Sequence, residues 1–162
     1  MSKRLYAVDE LNLKNTSGTY SFTRTSNILD FVKTPADDTT VVSFSIPIPF
    51  RASGAPAIQV NSVGVNFTVG VASLDAAPTI VVNQLTIDGT TRVIARAAVT
   101  QSTLTYSGTG TGGLAAGTYT ANITFAAGYL ALDAAKAYVV EVTTNAAATS
   151  TFKISGVEVD YS

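Results

Sequence analysis

Val41-Val42-Ser43-Phe44-Ser45-Ile46-Pro47-Ile48-Pro49-Phe50 sets the fold class. Val42, Phe44, Ile46, Ile48 and Phe50 share one parity, while Ser43, Ser45, Pro47 and Pro49 take the other. Side chains alternate between the two faces of a strand, so this spacing predicts a strand with one face in a core. The prolines add a second constraint. Backbone N–H groups two residues apart point to the same side, so both missing donors fall on one edge. The segment is therefore expected at a sheet edge, facing solvent or a partner.

The same period of two continues downstream. Ile58 and Val60 share even parity, and Val63, Val65, Phe67, Val69 and Val71 share odd parity. The switch at Asn61-Ser62 predicts a β-bulge or a bend. Thr79–Ile87 and Thr91–Val99 flank Asp88-Gly89, a dipeptide that tolerates the positive φ of a tight turn, which predicts a hairpin. Leu104–Tyr106 continues that strand or begins another. Ser107-Gly108-Thr109-Gly110-Thr111-Gly112-Gly113 reads as a loop, since four glycines in seven residues oppose any regular element. Tyr119, Ala121, Ile123 and Phe125 alternate again, as do Tyr138, Val140 and Val142. Phe152 and Ile154 change parity across Ser155-Gly156 to Val157, Val159 and Tyr161, a second bulge signature. Only Tyr129–Ala137 has room for a helical turn. The expected fold is all-β, a single antiparallel β-sandwich of jelly-roll-like form with about 8–10 strands.

Residues 1–38 read differently, because they hold ten of the 21 charged side chains. They are expected to form a polar amino-terminal arm with one candidate strand, Thr19–Thr23, closed by the turn-like run Lys33-Thr34-Pro35-Ala36-Asp37-Asp38. The predicted division is this arm over 1–38 and a β-sandwich domain over 39–162. The arm packs either on its own domain or on a neighbouring subunit.

Composition narrows the function classes. The 162 residues include no His, Cys or Trp, and no charged side chain lies between Arg96 and Asp133. Most enzyme sites need a group that titrates near neutral pH, a strong nucleophile or a metal cluster. Charged residues make up 13%, about half the usual share, so the polar surface must be mostly Thr, Ser, Asn and backbone. Such a surface costs little to desolvate, because no ion has to leave water. A net charge of −1 gives no attraction to nucleic acid or to an acidic membrane. No apolar run reaches the length of about 18 residues that a membrane helix needs. The basic pair Lys3-Arg4 is not followed by an apolar run, so no secretory signal is expected; with Met1 as the true start, the chain is made in the cytoplasm or leaves by another route.

Candidate sites are few. The glycine-rich loop lacks the Lys-Ser/Thr pair and the following helix of a phosphate-binding loop. Asp9-Glu10 and Asp37-Asp38 are adjacent carboxylates, which face opposite ways on a strand and fit solvated turns better than an acid/base couple. Asp133, Glu158 and Asp160 offer oxygens for calcium, but no clustered Asp/Asn loop accompanies them, so no metal is assigned. Sequons occur at Asn15, Asn66 and Asn122, and chance accounts for them in so Thr/Ser-rich a chain. Sugar-binding surfaces use flat aromatic rings. Tyr106, Tyr119 and Tyr129 border the uncharged region, and parity assigns Tyr119 to the core. Tyr106 and Tyr129 therefore remain as candidate ligand-binding residues. Arg92 and Arg96 share a strand face and read as a surface ladder, with contact to an anionic partner as the alternative.

Two phrases carry a resemblance. Leu132-Asp133-Ala134-Ala135-Lys136-Ala137-Tyr138-Val139-Val140-Glu141-Val142 resembles the corner and following strand of many β-sandwich modules. Phe152-Lys153-Ile154-Ser155-Gly156-Val157-Glu158-Val159 resembles the closing strand of galactose-binding-like jelly rolls. In composition and layout, the whole chain resembles small jelly-roll structural proteins of phages and viruses, capsid decoration or minor capsid proteins above all. That resemblance implies a virion location and a capsid or other particle protein as partner, and it transfers no functional residue.

The sequence thus predicts a non-enzymatic structural protein with no catalytic residue, cofactor or metal. It would decorate or cement a capsid through neutral Thr/Ser/Ala-rich contacts and its amino-terminal arm, as a homo-oligomer such as a trimer. Two alternatives stand beside this reading: a carbohydrate- or receptor-binding jelly-roll module, and a subunit of an extracellular fibre whose arm donates a strand to the next copy.

Overall fold

The computed structural model describes residues 2–7, 14–17, 20–25, 28–33, 40–47, 56–70, 72–87, 94–145 and 150–162. They form thirteen strands. In chain order these are β1 (Ser2–Ala7), β2 (Lys14–Ser17), β3 (Tyr20–Thr25), β4 (Ile28–Lys33), β5 (Thr40–Ile46), β6 (Gln59–Gly70) and β7 (Ala76–Ile87). β8 (Ile94–Ala98), β9 (Gln101–Gly108), β10 (Gly117–Phe125), β11 (Leu130–Ala131), β12 (Ala137–Asn145) and β13 (Thr151–Tyr161) complete the set. Every strand pairing is antiparallel.

One sheet runs β3-β4-β13-β6-β10-β9, with β1 on β13 and β11 on β6; the other runs β2-β5-β12-β7-β8. Strands β4-β13-β6-β10 of the first thus correspond to β5-β12-β7-β8 of the second, the crossed order of a jelly roll. Alternation supplies the core between the sheets. Val63, Val65, Phe67 and Val69 of β6, with Tyr119, Ala121 and Ile123 of β10, meet Phe44 of β5, Ile80 and Val82 of β7 and Val140 and Val142 of β12. The all-β sandwich is the fold that the period of two required.

Both predicted bulges are present. The β13–β6 register shifts between Ile154 and Gly156 and again between Asp160 and Tyr161, the latter beside Asn61. An extra residue on one strand turns the parity of those after it, which is why the apolar positions change phase there. β7 and β8 pair as the hairpin reading required, with Ile87 opposite Ile94. That register leaves six residues in the connection, 88–93, instead of a two-residue turn; they lie outside the described residues.

Two expectations need revision, one on β5 and one on the segment 1–38. β5 is not an edge strand along its whole length, since β2 pairs Val41–Ser43 on one side and β12 pairs the other. Pro47 follows the end of β5, so the strand loses no ladder donor to it, and residues 48–50 lie outside the described residues. Tyr129–Ala137 holds the two-residue β11 and a turn, with no helix. The strands outnumber the expected eight to ten because β1 to β4 all come from the segment read as an arm. β1 pairs β13 from Gly156 to Tyr161, β4 pairs it from Phe152 to Ile154, and β2 pairs β5. The boundary at residue 38 therefore divides strands that share both sheets.

Candidate functional site

The surface most distinct from an ordinary sandwich is the outer face of β9, β10 and β6. Each strand sends apolar residues inward and small neutral ones outward: Thr103, Thr105 and Ser107 on β9; Thr118, Thr120, Asn122 and Thr124 on β10; Ser62, Gly64, Asn66 and Thr68 on β6. Pairing aligns them in rows. Thr103, Thr124 and Ser62 form one, Thr105, Asn122 and Gly64 the next, Ser107, Thr120 and Asn66 a third. Neighbouring strands lie about 4.8 Å apart and alternate residues about 6.7 Å apart, so the hydroxyls and amides form a regular grid.

Some of these groups bond within the grid. Thr103 Oγ1 and Thr124 Oγ1 lie 2.8 Å apart, and the Thr120 hydroxyl donates to Asn66 Oδ1 at 2.7 Å. Gly64 leaves a shallow place in the middle row, where an added Cβ would meet Thr120 Cγ2 at 3.4 Å and Glu158 Cβ at 3.6 Å. Charge begins only at β13 and β1. There Lys3 Nζ lies 2.7 Å from Glu158 Oε1, and that bond raises the Lys3 ammonium above its ordinary value, Asp160 adding to it. Leu5, 66% exposed, ends the middle row beyond Glu158.

The predicted ligand residues take separate places. Tyr106 is part-buried on the inner side of β9, its hydroxyl donating to Pro78 O and its ring edge-on to Phe67 at 6.4 Å. Gly113, at φ 71°, lies so close that a Cβ there would enter the Tyr106 ring, so the loop closes over the aromatic. Burial raises the Tyr106 phenol above its ordinary value. Tyr129 is 42% exposed, in the turn before β11. Tyr106 stands level with Val65 and β11 begins level with Val60, a separation of about 16 Å along β6. The two rings do not form one platform. Tyr119 is buried as parity required, and its hydroxyl donates to Ala115 O at 2.6 Å.

Two of the three candidate carboxylates have local partners, while Asp160 Oδ1 is buried with no hydrogen-bond partner among the described residues. Glu158 holds Lys3, so an ammonium already stands where a cation would be drawn. Asp133 Oδ1 accepts from Ala135 N–H at 2.9 Å and caps a turn. Among the described residues no three carboxylates converge. Burial, with the Tyr6 hydroxyl beside it at 3.1 Å, raises the Tyr161 phenol far above its ordinary value, so it is no base near neutral pH. Asn66 and Asn122 lie on the grid; Asn15 lies in β2, where only its backbone is described. Asp9-Glu10, Asp37-Asp38 and Arg92 lie outside the described residues, as does the side chain of Arg96.

Sequence reasoning gave the composition of this face but not its extent. The signal was the run of Thr, Ser and Asn between core positions in β9 and β10, within the stretch free of charge. No protein-family model matches the chain, and no curated protein matches it.

Proposed function

We propose that this chain is a non-enzymatic structural subunit of a virus or phage particle, decorating or cementing the capsid through its uncharged sheet face. One observation carries the reading: three adjacent strands present a grid of Thr, Ser and Asn with no charged side chain among its members. Burying such a face removes no ion from water, and each hydroxyl can exchange a water for a neighbour's polar group. The strands of residues 2–33 pair within the two sheets, so of the two expected contacts, neutral face and arm, the neutral face is the one this reading keeps. A glycan-binding reading would rest on Tyr129 alone, because Tyr106 is engaged in packing.

Asn122→Lys places a charge in the centre of the grid. It is expected to leave the far-ultraviolet spectrum unchanged and to reduce recovery of the chain on particles by about tenfold or more, since a buried unpaired ammonium costs several kcal/mol. Recovery equal to wild type would remove this face from the contact.

A further inference from the structure

We propose that β9 is the strand through which two copies of this chain pair edge to edge, about a two-fold axis at Thr105. The pairing goes beyond the particle reading and does not depend on it. Leaving aside the two-residue β11, the strands that close a sheet or pair on one side only among the described residues are β1, β2, β3, β8 and β9. The sequence of each of the first four includes a basic residue: Lys3 and Arg4 in β1, Lys14 in β2, Arg24 in β3 and Arg96 in β8. A lysine or arginine on an edge opposes the addition of another strand. In a two-fold pair it would also bring like charges together. β9 is eight residues long and contains no charge and no proline.

Its backbone is oriented for the purpose. Thr109 N–H donates to Thr118 O at 3.0 Å. In the β9–β10 register this turns the N–H and C=O groups of Thr103, Thr105 and Ser107 towards β10. Those of Ser102, Leu104, Tyr106 and Gly108 point to the opposite side, where no strand among the described residues pairs with them. Setting Thr105 against Thr105 of a second copy places Leu104 opposite Tyr106 and Ser102 opposite Gly108, so outward groups meet outward groups along the edge. Faces agree as well. Thr103 stands opposite Ser107 on the neutral surface, and Leu104 and Tyr106 extend the inner one. The hydroxyl grid then continues across the axis without a charge.

The chain has no cysteine, so Thr105→Cys carries a single thiol. On the axis, Thr105 occupies a non-hydrogen-bonded pair with Cα atoms about 4.5 Å apart, within disulfide reach. Mild oxidation of the purified full chain is expected to give a covalent dimer from Thr105→Cys and not from Thr118→Cys, which is exposed on the same face but on β10. Equal cross-linking at both positions would overturn the register. In sedimentation velocity, Thr105→Lys and Thr105→Glu are each expected to weaken self-association by about tenfold, and their equimolar mixture to restore it. Both substitutions fall at an exposed position, and circular dichroism checks that the fold is kept. A wild-type chain that sediments as a monomer or a trimer, or a Thr105→Lys chain that dimerises like wild type, would overturn the proposal.

Discussion

The chain carrying Phe67→Ala is expected to lose about 3–5 kcal/mol of stability. Phe67 is 1% exposed and lies on β6, between β10 and β13. Its ring stacks on Tyr119 with centroids 5.2 Å apart, tilts against Phe152 at 5.0 Å and meets Tyr106 edge-to-face at 6.4 Å. Removing it takes the shared member from three aromatic contacts and leaves a cavity whose walls belong to four strands. Their backbones are fixed by ladders on both sides of β6, so the space cannot close fully. A domain of this kind holds about 5–15 kcal/mol in total, so the loss approaches a third or more of it. Urea unfolding measures it directly. A loss under about 1 kcal/mol would show that the aromatic cluster is not the centre of the core.

Removal of residues 1–38 is expected to be more damaging still, leaving no soluble folded monomer. β4 and β1 lie end to end along the outer edge of β13, on either side of the bulge at Ser155. Gly156 fits that seat closely: an added Cβ would meet Tyr6 O at 3.0 Å and Leu5 Cδ1 at 3.3 Å. Tyr6 is tied to the Tyr161 hydroxyl, which donates onward to Pro47 O at 2.7 Å, and Arg4 lies over the Tyr161 ring at 5.9 Å. Truncation strips this edge of its ladder and also removes β2 from β5. Unpaired edges of that length recruit other chains. Expression of the truncated chain, followed by size-exclusion chromatography and thermal melting, separates the outcomes. A soluble monomer melting at the wild-type temperature would make 1–38 a separable arm after all.

The contrast between these two cases shows what the sequence made legible. Phe67 was readable because Val63, Val65, Phe67 and Val69 alternate without interruption, and a strand buried on one face has no other periodicity. The bulges were readable because an inserted residue leaves a phase change in that pattern. β3 was readable at Thr19–Thr23, where Tyr20 and Phe22 alternate with polar residues, but β1, β2 and β4 were hidden for a physical reason. Ten charges in 38 residues obscure alternation, and β1 is held by backbone pairing, one ion pair and two tyrosine hydroxyls, none of which has a period. The prolines are a different case. Pro47 limits where β5 can end, but its effect on an edge depends on which strands flank it, and pairing partners are not local information. The neutral face was legible strand by strand and not as a surface. Thr105, Asn122 and Gly64 are far apart in sequence and become neighbours only through the β9-β10-β6 register. Tyr106 and Tyr129 likewise both border the uncharged stretch in sequence, while the fold holds them apart.

The reading of this chain as an assembly subunit is tested most directly by quantitative mass spectrometry across density-gradient fractions of the culture that produces it. The chain is expected to band with a particle at a fixed molar ratio to that particle's most abundant protein, in every particle-containing fraction. Recovery only among free proteins at the top of the gradient would contradict the assembly role, and glycan binding around Tyr129 would become the first alternative to examine.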